Sequence, residues 1–148
     1  MRCNEAGLSL IKEFEGLRLT PYLCPAGVQT VGYGHAIKPG EQFYKLTVEQ
    51  AEDLLKRDVG DVERNLNRML NVVVTDNQYA ALVSFCFNLG TGAFRNSTMR
   101  ALINRKDYSS ASREFGKWVF GGGKALPGLV RRRAAEEALF VTPEGMVV

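Results

Sequence analysis

Histidine is almost missing from this chain. Its 148 residues include one, His35, so a histidine-rich metal site is ruled out, and no metal or other cofactor is expected. Cysteine is scarce as well. Cys3, Cys24 and Cys86 are an odd number with no close pair and no metal-ligand spacing, which argues for reduced thiols in a reducing compartment rather than a disulfide framework. No apolar run is long enough to span a bilayer. The opening MRCNEAGLSLIKEFEG has a single basic residue, and Lys12, Glu13 and Glu15 interrupt its apolar positions. It does not read as a signal peptide, so the expectation is a protein made in the cytoplasm and held there until something releases it. Internal repeats and low-complexity tracts are lacking too, which excludes solenoids and biased linkers.

What remains is the balance of an ordinary soluble globular protein, 45% hydrophobic and 24% charged. The length suits one domain with its own core. A formal net charge of +3 fits an anionic polymer as partner, such as a cell wall or a nucleic acid.

Periodicity places the elements. In LSLIKEFE, Leu8, Ile11 and Phe14 share a helical face, with Ser9 or Asn4 as the cap and Gly16 as the stop. Over residues 17–46, strand formers such as Val28, Thr30, Val31 and Tyr33 alternate with prolines and glycines, which predicts a small antiparallel sheet. Residues 47–71 read as a long helix opened by a Thr47/Gln50 capping box. TDNQYAALVSFCFNLG, with a second box at Thr75 and Gln78, is apolar nearly all round and reads as a buried central helix. Short helices are predicted over 97–105 and 109–119, a loop at GGGKALPG, and a last helix over LVRRRAAEEALF that ends near Pro143. The expected fold is α+β and mainly α. It is one domain spanning 1–148, with a small α+β lobe (1–46), a connecting helix (47–71) and a helical lobe (72–148). A cleft is expected between the lobes.

Glu15, Cys24 and Thr30, with GYGH directly after, form a spaced constellation inside EGLRLTPYLCPAGVQTVGYGH. Together with LTVEQAEDLLKRDV, FNLGTGAFRNST, Lys117-Trp118 and GLVRRRAAE, this order resembles the phage-type lysozymes, glycoside hydrolase family 24, and in particular those of lambdoid phages. The resemblance covers nearly the whole chain. It implies a lysozyme-like fold and an endolysin that hydrolyses the β-1,4 bond between N-acetylmuramic acid and N-acetylglucosamine in peptidoglycan, causing host lysis. It also implies that Glu15, Cys24 and Thr30 are the catalytic set.

The chemistry accounts for such a set. A glycosidic oxygen leaves poorly unless it is protonated, and a neutral carboxylic acid supplies the proton. For an isolated glutamate a solvated helix end would be the better reading; the spacing reverses that for Glu15. Inverting glycosidases pair the acid with a carboxylate base. Cys24 is no carboxylate, so it is expected to polarise or position the attacking water, with Thr30 as a hydroxyl partner. Acting as a covalent nucleophile, or packing as a small apolar residue, is the alternative for Cys24.

The resemblance further implies that His35 pairs with Asp58 and that an arginine of the 131–133 run salt-bridges Glu15. Arg132 is assigned on helical phase, with Arg131 as runner-up, and Arg133 is left as a solvated charge. Phe87, Asn88, Ser97 and Lys117 are the candidate sugar contacts, although Phe87 and the single tryptophan, Trp118, also suit the core. The polysaccharide is the expected partner, and nucleic acid is not, since the long helix is net acidic. A monomer is expected, with weak contact to anionic membrane or wall through the basic last helix, and release through a membrane lesion such as a holin's. The alternatives are a non-catalytic wall-binding module on the same fold, or a lytic transglycosylase.

Overall fold

The computed structural model describes residues 1–143. Asn4 accepts the Gly7 N–H at 3.0 Å and so starts α1, Glu5–Glu15. The helix begins three residues before Leu8, directly after the Asn4 cap, and Gly7 is buried where α1 meets the central helix. A Cβ on Gly7 would lie 2.8 Å from the Ala80 Cβ. Gly16, at φ +72°, stops α1 and donates its N–H to the Lys12 carbonyl.

β1 (Arg18–Leu23), β2 (Gln29–Gly32) and β3 (His35–Ala36) follow as an antiparallel sheet in that order. Tyr22 pairs with Thr30, and Val31 pairs with His35. α2, Val48–Met69, opens with the complete Thr47/Gln50 box. Its buried stripe is Ala51, Leu54, Leu55, Val59, Leu66 and Met69, and through it α2 meets both the sheet and the helices beyond.

α3, Asp76–Leu89, carries the second complete box and is buried continuously from Tyr79 to Cys86. It packs against α1, α2, α4 (Thr91–Arg95) and α7 (Pro127–Phe140), which makes it the axis of the core. The Phe85 ring meets Phe94, Phe115 and Trp118 edge-on, with centroids 6.4, 5.8 and 5.5 Å away.

Three further boundaries differ from the sequence reading. α5 (Thr98–Asn104) is the first short helix, but the second breaks into α6 (Tyr108–Ser112) and a 3-10 turn at Phe115–Lys117 that contains Gly116, a poor helix former. The stretch read as a loop is in part a hairpin, β4 (Phe120–Gly121) with β5 (Lys124–Ala125). Gly122 and Gly123, at φ +60° and +82°, supply the left-handed pair that a tight hairpin turn requires. α7 starts at Pro127, ahead of Leu129. Proline suits the first turn, where its missing N–H would have had no helical partner.

Candidate active site

Glu15 is the last residue of α1, and its carboxyl faces a groove of about 630 Å³ lined also by Asn88, Leu126, Leu129, Arg131 and Arg132. Arg132 donates to Glu15 Oε2 at 2.6 Å, and the Glu15 side chain stays 20% exposed. Gly34, at φ +71° in the β2–β3 turn, presses against the same carboxyl. A Cβ there would collide with Glu15 Oε1. The glycines of GYGH therefore let the backbone both turn and approach.

Beneath Glu15 lies a buried ionic cluster. Arg132 also donates to the Ser84 carbonyl at 3.3 Å and to Glu136 Oε2 at 3.4 Å. Arg133 corrects the sequence reading: it is 1% exposed rather than solvated. Two features account for this. Glu136, one turn on, provides the counter-charge, with Arg133 donating to its Oε2 at 3.2 Å and standing at ion-pair distance, 2.7 Å, from its Oε1. The Phe85 ring lies under the guanidinium at 5.2 Å. The Nε–Oε1 contact lacks hydrogen-bond alignment, so it acts as a charge contact only. A further donation from Arg133 reaches Asn88 Oδ1 at 2.8 Å. Glu136 is fully buried and accepts from the Ser84 hydroxyl at 2.6 Å. Burial raises its carboxyl above the ordinary range against the pull of both arginines, and burial likewise lowers Arg133. Glu136 was not singled out in the sequence, although its spacing of four and three residues from Arg132 and Arg133 is the available signal.

Cys24 opens the turn between β1 and β2. Its N–H donates to the Val28 carbonyl at 3.0 Å, and its carbonyl accepts from Gly27 at 2.8 Å. The side chain is partly exposed, which disfavours a purely packing role. Its thiol lies below the ordinary range, chiefly through hydrogen bonding with the Val28 backbone, with help from the Ala26 backbone and the Thr30 side chain. Thr30 is buried, and its hydroxyl donates to the Val28 carbonyl at 2.9 Å. The other two thiols behave oppositely: burial pushes Cys3 and Cys86 up to about 12. Of the three thiols, Cys24 is the one shifted toward its thiolate.

His35 is buried and bridges two carboxylates, Asp58 at 2.7 Å from Nδ1 and Glu41 at 2.9 Å from Nε2. Glu41 was not foreseen. The Lys38 N–H and His35 hold its carboxyl below the usual range, while burial raises Asp58. Phe87 lines a second recess of about 230 Å³ with Gly34, His35 and Asp58. Ser97 caps α5, its hydroxyl taken by the Arg100 N–H and the Phe94 carbonyl. Lys117 pairs with Glu114 at 2.6 Å. Neither residue lines the groove at Glu15.

Comparison with known proteins points to one family. The family model described as phage lysozyme matches residues 12–136. An endolysin of Acyrthosiphon pisum secondary endosymbiont phage 1 is 47% identical over 95% of this chain and 98% of its own length. An endolysin of Bacillus phage PZA is 44% identical over 95% of this chain, which spans only 55% of that relative. Among solved structures, the muramidase domain of SpmX from Asticaccaulis excentricus superposes with a TM-score of 0.86 at 36% identity, covering 96% of this chain and 99% of that one.

Proposed function

The chain belongs to the phage lysozyme family, and from that premise we propose that Glu15 is its general acid, with Cys24 and Thr30 holding the water that completes the hydrolysis. The protein is a lysozyme-type hydrolase of the bacterial cell wall, an endolysin whose substrate is peptidoglycan.

One observation carries the assignment of the acid: the Glu15 carboxyl meets a large groove while Arg132, buried behind it, grips one oxygen. The other oxygen is left beside Gly34. In the reaction the neutral Glu15 passes its proton to the glycosidic oxygen as the bond to the anomeric carbon breaks. The carboxylate left behind is met at once by the Arg132 guanidinium. Water forms the new bond to the anomeric carbon, and its proton goes to the Cys24 thiolate, the form that hydrogen bonding with the Val28 backbone favours. Thr30 sets the Cys24 turn from within. Asn88 offers the sugar an amide in the same groove, and Phe87 offers a ring in the neighbouring recess. Glu15→Gln keeps the shape and removes the proton. It should slow clearing of a peptidoglycan suspension by roughly 10²–10⁴-fold, while wild-type digests yield muramic acid with reducing ends. Full clearing by Glu15→Gln, or anhydro-muramic ends in the digest, defeats this reading.

The enzyme works as a monomer in one lysozyme-like unit, with the sheet, α2 and the helices acting together. It waits in the host cytoplasm for a membrane lesion such as a holin's. Three free thiols, one buried and two partly exposed, suit that reducing compartment. Of the arginine run only Arg131 stays exposed, so contact with anionic membrane or wall through α7 is slight. Expression alone should leave a culture at its full density until chloroform is added, and prompt lysis without permeabilisation would refute the holding step.

A further inference from the structure

We propose that Glu136 is a positioning residue that sets both the charge behind the acid and the direction in which Asn88 faces the sugar. The proposal rests on Glu15 being the acid.

The cluster has two cations and one anion. Arg132 and Arg133 both bind Glu136, and all three residues are at most 3% exposed. Their sum is one positive charge, and Arg132 presents it to Glu15 at 2.6 Å. That single charge matches the one negative charge Glu15 acquires when it gives up its proton. Two unopposed arginines would hold Glu15 ionised and unable to donate. With no net charge, the new carboxylate would lack compensation. Glu136 tunes the site between these limits.

The second task runs through Arg133. A guanidinium only donates, so the Asn88 atom 2.8 Å from it is the carbonyl oxygen. The amide NH₂ of Asn88 is then left for the groove, where it suits an acceptor such as an N-acetyl carbonyl or a sugar hydroxyl. Glu136 and the Phe85 ring hold Arg133 in this pose.

Few other groups intrude on the cluster. On α7 the neighbours of Glu136 are Arg132 and Arg133. From α3 come the Ser84 hydroxyl, which donates to it at 2.6 Å, and Cys86, a thiol that burial keeps neutral. On α1, Glu15 is reached through Arg132, while Lys12 is turned to Glu52. Lys117 of the 3-10 turn is turned to Glu114.

Substitution can count the charge in steps. Wild type has +1 behind Glu15, Glu136→Gln has +2, Arg133→Met has 0, and the double variant returns to +1. The reading is the alkaline limb of the rate–pH profile for peptidoglycan clearing. Each unit of charge should move it by about one pH unit. Glu136→Gln moves it to lower pH, Arg133→Met moves it to higher pH, and the double variant restores it. Arg133→Met and the double variant should also raise KM by roughly tenfold, since Asn88 loses its anchor, while Glu136→Gln, which leaves Arg133 in place, should raise it less. The double variant therefore recovers the pH profile but not the KM, a split that mere destabilisation cannot produce. Limbs that coincide across the series, or that shift in one direction only, overturn the proposal. Thermal melting confirms that each variant is folded, and Glu136→Asp, which keeps the charge, should keep the wild-type limb. If Glu15→Gln is inactive and the limbs do not move, the positioning role alone fails. If Glu15→Gln is active, the underlying assignment fails first.

Discussion

The proposed acid and the proposed thiol are held by opposite means. The acid side is a helix end gripped by buried ions: Glu15 on α1, Arg132 behind it, and Arg133 with Glu136 beneath. The thiol side is a turn at the edge of a three-stranded sheet, where Cys24 is partly exposed and held by backbone hydrogen bonds to its own turn. On the acid side, function and fold share the same atoms. On the thiol side, function rests on a few local bonds that the fold could lose. Damage on the acid side should therefore cost stability and activity together, and damage on the thiol side activity alone.

The largest effect expected is from Glu136→Ala. It strands the buried Arg133 without its counter-charge and leaves Arg132 to Glu15 alone, and removing one partner of a buried ion pair costs about 3–5 kcal/mol. Urea denaturation should show the unfolding free energy falling by that much, with clearing activity falling alongside. A loss below about 1 kcal/mol would mean that the cluster behaves like a surface salt bridge and that the contrast between the two sides is false.

A smaller effect sharpens the contrast at the surface. Lys12 on α1 and Glu52 on α2 meet at 2.7 Å, each about a third exposed (30% and 31%). Their hydrogen bond raises Lys12 and lowers Glu52. The lowered carboxyl contributes above its unfolded value and loses that contribution as pH falls through the folded one. The raised ammonium contributes below its unfolded value and loses that contribution as pH rises through the folded one. The coupling should then be a plateau across neutral pH, on the order of 0.2–1 kcal/mol in a double-mutant cycle of Lys12→Ala and Glu52→Ala, and weaker in high salt. A coupling as large as that of the buried cluster would remove the distinction drawn between exposed and buried ions.

Much of this was readable from the chain because it is written locally. Both capping boxes join residues three apart, and the stripe of α2 repeats at helical spacing, so the two main helices could be placed to within about two residues. The helical phase from Leu139 put Arg132 inward, as found. What was missed lacks a local signature. α4 starts after Gly90, which supplies no side-chain cap. The β4–β5 hairpin has strands of two residues, too short for alternation to register. Arg133 looked solvated because its burial depends on Phe85 and Asn88, 48 and 45 residues away in the numbering (133 − 85 and 133 − 88). Glu41 reaches His35 through a turn that no periodicity describes. The acid's neighbours were thus half legible: those on its own helix face could be counted, and those that tertiary packing delivers could not.

The smallest effect on the fold is expected where the effect on the reaction is large. Cys24 sits outside the core, and the bonds that shape its turn are made by backbone atoms, so Cys24→Ala should shift unfolding by no more than about 0.5 kcal/mol. Clearing activity should nevertheless fall steeply, because alanine can neither take the water's proton nor hold the water. The thiol itself gives the sharper measurement. Its acidity is enhanced by the Val28 backbone hydrogen bond, while Cys3 and Cys86 are pushed to about 12. Iodoacetamide at neutral pH should therefore add one group to the folded protein, on Cys24, as peptide mass spectrometry would locate it. The labelling rate should rise with pH and reach half its limit below the ordinary thiol value of about 8.5. Activity should be lost in step with that single addition while the melting temperature stays put. A labelled enzyme that still clears peptidoglycan would leave Thr30 and the backbone to guide the water, and the thiol side would then be scaffold, like the sheet it hangs from.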